Sequence, residues 1–179
     1  MARYVALPLF LISLLFLLHG STVSPWAIHG FQAGIIGVVY YDFIRIPFVL
    51  THVWADFIPK LGGLIIGNSP SNVFLGYIWR WVGDGGGIAL SFFMACHLIN
   101  SSRFFWILHY PIGLAVAYGV FIWSGLMATV TLTRMGHRIL FELTPLSFTL
   151  SLIGHLVYGI GVGLYLRSFM LSVSSGGRR

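Results

Sequence analysis

Charged side chains are scarce in this sequence. They make up 8% of its 179 residues, whereas an ordinary soluble domain carries roughly 25%, and only four of them are acidic. Because so few charges cannot cover a water-exposed surface, a soluble globular fold is excluded. The ten basic residues give a net charge of +6, but they lie between apolar runs or at the chain ends. This distribution indicates contact with anionic lipid headgroups and no binding of nucleic acid.

Cysteine and the common catalytic motifs are also nearly absent. The single cysteine, Cys96, excludes an internal disulfide and a cysteine-based metal cluster. The sequence has no Gly-x-Ser-x-Gly elbow and no His-Glu-x-x-His metal motif, and no local motif places a Ser or Cys beside a base. We therefore expect no catalytic residue, no metal site and no catalytic activity of the chain's own.

Hydrophobic residues are abundant: they form 58% of the chain, and the mean hydropathy is +0.91. Since one crossing of a bilayer takes roughly 20 apolar residues, the chain has room for four or five spans. We predict an all-α fold, a polytopic transmembrane helix bundle with four to five membrane-embedded helices. It forms a single membrane domain over residues 1–179, in a bacterial inner membrane or an organelle membrane.

Proline, glycine and polar residues predict where the helices end. Residues 4–19 are expected to form a short first helix or a signal-like segment. The further helices are predicted at 26–50, 88–100, 104–133 and 145–171. Residues 51–87, rich in Gly, Pro and Trp, are predicted as an interfacial loop, and residues 172–179 as a flexible tail.

One pattern recurs three times: a histidine followed at four and eight residues by a small side chain. The triplets are His29, Ala33 and Gly37; His109, Gly113 and Ala117; and His155, Gly159 and Gly163. This spacing places each triplet on one face of a helix. Because small residues let helix backbones approach closely in lipid, we predict that these faces form the interior of the bundle.

The histidines admit two interpretations. In the first, a neutral imidazole hydrogen-bonds a neighbouring carbonyl or hydroxyl group and fixes the packing of the helices, without any cofactor. In the second, His97, His109 and His155 converge from different helices and ligate a haem or a chlorophyll-type pigment, since imidazole is a common ligand of such groups. We expect the first and retain the second as the alternative.

Asp42 and Arg45 are the charged residues of the predicted helix 26–50. They lie three residues apart, which places them on one helical face. We predict that they form an ion pair with each other near the membrane interface. The alternative is that they contact a substrate or a proton.

Three segments carry a resemblance to a known group of proteins. Residues 34–42 are a small-residue run that ends in Asp, residues 107–113 contain His-Tyr-x-x-Gly, and residues 154–165 contain His-x-x-Tyr-Gly. In these segments the chain resembles a family of small bacterial inner-membrane proteins classed as a domain of unknown function. It departs from their pattern between residues 125 and 144 and in its extra N-terminal segment. The resemblance implies a four-helix membrane fold with no established activity.

Three functions fit these observations. The lack of catalytic motifs and of soluble mass favours a structural or accessory subunit that packs within a larger membrane protein complex, with the lipid bilayer and other membrane subunits as its partners. A small transporter or channel would use Asp42, Arg45 and the histidines along a polar path between helices. A haem- or pigment-binding protein would use the histidines as axial ligands.

Overall fold

The computed structural model describes residues 24–67, 70–133, 136 and 140–176. The regular structure in this part of the chain is entirely helical, which confirms the predicted all-α fold. Its α-helical segments are α1 Ser24–Leu50, α2 Ile58–Ile66, α3 Val73–Asn100, α4 Pro111–Leu132 and α5 Pro145–Gly176. The predicted N-terminal segment 4–19 lies outside the described residues.

Four of these helices, α1, α3, α4 and α5, are long and apolar enough to cross a membrane. The remaining helix, α2, has nine residues and is too short to cross a membrane. The described residues therefore form a bundle with four candidate spans, the lower of the two numbers that the sequence predicts.

The predicted interfacial loop at residues 51–87 is wrong over most of its length. It contains the short helix α2, and from Val73 onward it belongs to α3. The predicted helix 88–100 is consequently the second half of a longer span. The glycines that indicated a loop are accommodated inside α3, because in a membrane the backbone must satisfy its own hydrogen bonds and neighbouring helices can pack closely against glycine.

Two other predicted boundaries also change. The predicted helix 104–133 is divided into a 3₁₀-helix, Phe105–His109, and α4, which begins at Pro111. Proline lacks the N–H group that would continue the preceding turn, but it fits the first turn of a new helix. At the other end, α5 extends to Gly176, so the first residues of the predicted flexible tail 172–179 are helical.

Helix α5 packs closely against both α1 and α4 through glycine. A Cβ atom on Gly37 of α1 would collide with the ring of Tyr158 on α5. On the other side of α5, a Cβ atom on Gly159 would collide with backbone atoms of Ala115. The first and third predicted triplets therefore contribute residues to helix contacts, as small residues do in membrane bundles.

The second triplet does not pack as predicted. His109 is exposed in the 3₁₀-helix, Ala117 is exposed on α4, and a Cβ atom on Gly113 would have nothing within 4 Å. The face of α4 that meets α5 carries Ala115 and Gly119 instead. Because α4 begins after His109, the histidine and the two small residues do not share one helical face.

Helix α1 also packs closely against α3. A Cβ atom on Gly34 would collide with the carbonyl oxygen of Gly85, and one on Gly30 would lie 2.7 Å from the Cβ of Phe93. Helix α1 is thus held between α3 and α5.

Aromatic rings fill the space at the end of the bundle where α1 ends and α5 begins. The ring centroids of Trp54 and Phe141 are 5.9 Å apart.

Replacing Gly34 by alanine should destabilise the protein, because the added methyl group must displace the backbone of α3 at Gly85. Overpacking of this kind costs about 1–3 kcal/mol. Gly113→Ala is the matched control: its methyl group has open space, so the thermal midpoint of the control in detergent should equal or exceed that of the parent protein. Equal midpoints for Gly34→Ala and the parent would contradict the close contact of α1 with α3.

Candidate functional site

Four charged residues of the described part of the chain form two ion pairs. Asp42 on α1 pairs with Arg80 on α3, whose Nη2 and Nε donate to the Oδ1 of Asp42 at 2.9 and 3.2 Å. Arg45 pairs with Asp56, in the segment that joins α1 to α2. The predicted pair of Asp42 with Arg45 is therefore wrong. Each residue has a partner from another segment, which a spacing within one helix cannot reveal.

The carboxylate of Asp56 links several segments at one end of the bundle. Besides its ion pair with Arg45, it accepts hydrogen bonds from the backbone N–H of Ile58 at 3.1 Å and from the hydroxyl group of Tyr77 at 3.0 Å. It thereby connects α1, the start of α2 and the first turns of α3. We interpret this pair as a structural clamp.

Arg80, of the pair with Asp42, lies at the start of an unusual stretch of α3. Residues Arg80–Gly87 are π-helical. Four of the last five residues of this stretch are glycines, Gly83, Gly85, Gly86 and Gly87. The hydroxyl group of Tyr158 on α5 donates to the carbonyl oxygen of Gly85 at 2.9 Å. Arg80 also lies above the ring of Tyr41, at 4.3 Å from its centroid. π-Helical turns are rare and occur frequently at functional sites.

A cavity of about 280 Å³ lies beside this stretch. Apolar side chains form part of its wall, and its polar and aromatic lining comprises Tyr41, Phe57, Trp79, Arg80, Asp84, Thr129, His155 and Tyr158. Asp84 and Tyr158 are near the middle of their spans. The cavity extends from these residues to Phe57 and Leu140, at the end of the bundle where α1 ends.

The polar groups of this lining have defined hydrogen-bonding roles. His155 Nδ1 lies 2.7 Å from the carbonyl oxygen of Ser151; since a carbonyl oxygen can only accept, Nδ1 carries the proton. A neutral imidazole then has Nε2 left as an acceptor. Tyr158 uses its proton on Gly85. Asp84 forms no ion pair with any described residue.

The three predicted cofactor ligands have three different environments. His155 lines the cavity. His97 lies beside Trp26, with 5.5 Å between the ring centroids, and His109 is exposed, with Nδ1 2.9 Å from the carbonyl oxygen of Trp106. Within residues 24–67, 70–133, 136 and 140–176, no three His, Cys, Asp or Glu side chains are grouped to hold a metal ion. The structure does not bring these histidines together.

Two residues of the site, Arg80 and Asp84, were not predicted, because the Gly, Pro and Trp residues around them indicated an interfacial loop. One signal could have identified them. Arg80 and Asp84 are ionisable residues that lie just before the apolar run starting at Ile88. Ionisable residues inside spans are functional candidates by default.

No protein-family model, curated protein or solved structure matches the chain. The resemblance to small bacterial inner-membrane proteins therefore remains an expectation, and the function must be argued from the geometry of the site.

Replacing Asp42 by asparagine should leave Arg80 buried without its counter-charge. Removing one partner of a buried ion pair costs about 3–5 kcal/mol, so the thermal midpoint in detergent should fall markedly. The double variant Asp42→Asn with Arg80→Gln removes both charges and should be more stable than the sum of the two single losses predicts. Additive losses would indicate that the two residues do not interact.

Proposed function

We propose that this chain is a small multi-pass transporter, in a bacterial inner membrane or an organelle membrane, and that the cavity between its helices binds the transported solute. The observation that carries the proposal is the position of the cavity. The cavity extends from the end of the bundle where α1 ends to a deep end near the middle of the spans, where Asp84, His155 and Tyr158 line it. Binding sites of transporters lie at that depth, where helices are interrupted.

The size of the cavity supports a binding role. The cavity is partly open, since Gly125 and Thr129 of its lining are exposed, and its volume is about 280 Å³. An engineered cavity of about 150 Å³ accommodates benzene. The present cavity is large enough for one aromatic ring with a short substituent, and apolar pockets with a few convergent polar groups are typical ligand sites.

The arrangement of the helices provides a route into the cavity. Helix α4 packs closely against α5 but not against the π-helical stretch of α3. Gly125 of α4 lines the cavity and is itself exposed, and a Cβ atom there would have nothing within 4 Å. We place the entrance at Gly125, between α3 and α4.

Blocking this entrance should abolish binding without harming the fold. We expect one of three probes of similar size, 2-phenylethylammonium, 2-phenylethanol or phenylacetate, to bind saturably to the protein in lipid nanodiscs, as measured by titration calorimetry. Gly125→Leu should abolish that binding. Gly113→Leu, on the same helix and also in open space, is the matched control and should retain it.

Transport is tested on proteoliposomes with whichever charged probe binds. A concentration jump of that probe should produce an electrical current, since ions cross a bare bilayer poorly. The current should disappear in Gly125→Leu and persist in Gly113→Leu. Absence of binding for all three probes, or equal behaviour of the two variants, would refute the proposal.

A second candidate function, an accessory subunit of a membrane complex, is favoured by the outer side of α4. In the most apolar stretch of α4, 17% of the residues are buried, against 39% in α1 and in α3 and 50% in α5. Its exposed side carries the small residues Gly113, Ala117 and Ala128. Such residues allow a helix of another subunit to approach closely in lipid.

The accessory role predicts an effect of Gly113→Leu that the transporter role does not. If α4 packs against another subunit, the protein extracted gently from its native membrane should migrate on a native gel with that subunit. Gly113→Leu should then disrupt the complex, because its side chain would occupy the contact, and both variants should remain folded. Migration of the parent protein as a single chain would contradict the accessory role.

A further inference from the structure

The cavity contains one charge that the protein does not balance. Arg80 is bound to Asp42, with both side chains less than a tenth exposed, and Arg45 is bound to Asp56. Of the two charged residues that line the cavity, Arg80 and Asp84, Asp84 is therefore the one without an ion pair among the described residues. A carboxylate inside a membrane bundle is costly to leave uncompensated. The site therefore favours a ligand that brings a positive charge.

The hydrogen-bonding groups of the cavity point to the same kind of ligand. The carboxylate of Asp84, Nε2 of the neutral imidazole of His155 and the hydroxyl oxygen of Tyr158 can all accept, because the protons of the latter two groups are used elsewhere. Thr129, at the wall, likewise donates its proton to the carbonyl oxygen of Gly125 at 2.9 Å. A ligand that satisfies several acceptors must carry N–H or O–H donors.

The remaining wall is suited to a cation with an apolar body. Phe57, Trp79 and Tyr158 line the cavity together with aliphatic side chains, and aromatic ring faces attract cations. The ring of Tyr41 already holds the guanidinium group of Arg80 in this way. The charge of Arg80 does not repel a bound cation strongly, because Asp42 accepts two hydrogen bonds from it.

Building on the proposed function, we propose that the cavity binds a small protonated amine. Its ammonium group donates to Asp84 and to His155, and its apolar body, about the size of one aromatic ring with a short chain, packs against Trp79 and Phe57. This assignment names the chemical class of the solute. It rests on the unpaired carboxylate, the set of acceptors and the aromatic wall.

Titration calorimetry of the wild-type protein in nanodiscs at neutral pH tests the class directly. We expect 2-phenylethylammonium to bind at least about tenfold more tightly than 2-phenylethanol, which has the same shape without the charge, since a buried charge pair contributes at least about that much. Phenylacetate should bind still more weakly. This comparison needs no variant, so it does not depend on any substitution being tolerated.

Two variants then locate the charge. Asp84→Asn keeps the shape of the side chain and should reduce the affinity for 2-phenylethylammonium at least about tenfold, while the affinity for 2-phenylethanol stays the same. Glu142→Gln removes an equal charge from an exposed residue outside the cavity and should change neither affinity. Binding of 2-phenylethanol to Asp84→Asn also shows that this variant is folded.

The outcomes separate this inference from the proposed function. If 2-phenylethanol or phenylacetate binds at least as tightly as the amine, or if Asp84→Asn binds the amine as well as the parent does, the amine class is wrong while a solute site at the cavity stands. If none of the probes binds, the proposed function fails and the inference fails with it.

Discussion

The ion pair between Asp42 and Arg80 joins α1 to α3 inside the bundle, where neither charge is stable alone. Even on the lowest scales, placing one charged side chain at the centre of a span costs roughly 2.5–3.5 kcal/mol. Both helices must therefore keep the rotation and depth at which the two groups meet. The backbone contact of Gly34 with Gly85 makes this possible, because larger side chains would hold the helices too far apart for the hydrogen bonds to form.

Spacing between the helices differs around the bundle. Helix α5 touches both α1 and α4 through glycine, so these three helices form a closely packed unit. Helices α3 and α4 are joined by longer side chains: the hydroxyl group of Tyr118 donates to the carbonyl oxygen of Ile88 at 3.1 Å, and its ring stacks on Phe92. Helix α5 packs tightly against α1 and α4, whereas long side chains separate α3 from α4. The free volume of the bundle therefore lies between α3 and α4.

Composition and hydropathy predicted the helical class correctly because they depend on the solvent and not on tertiary contacts. The long apolar runs near residues 26–50 and 145–171 were identified on that basis, and the structure has helices there. The span α3 was missed because its first half contains Gly76, Arg80 and the glycine run, which indicate a loop in water. In lipid the same residues remain helical, since an open backbone would lose its hydrogen bonds.

The site was less predictable than the fold, because it depends on tertiary contacts between remote segments. Local spacing suggested that Asp42 and Arg45 pair with each other, whereas their partners come from segments that are remote in the sequence. Of the predicted histidine ligands, His155 lines the cavity, although the pattern that identified it gave equal weight to the exposed His109. Which face of a helix touches its neighbour is decided by the fit between helices, and a single sequence does not encode that fit in a readable form.

The π-helical stretch Arg80–Gly87 has a consequence for the register of α3. A π-turn contains more residues than an α-turn, so the side chains after it are rotated from the positions that an unbroken α-helix would give them. The side chains of Val73–Trp79 and those of Ile88–Asn100 therefore do not follow one continuous α-helical periodicity. A single helical-wheel projection drawn through the whole span would assign lipid-facing and interior positions incorrectly on one side of the glycines, and losing one residue there would reorient half of the helix.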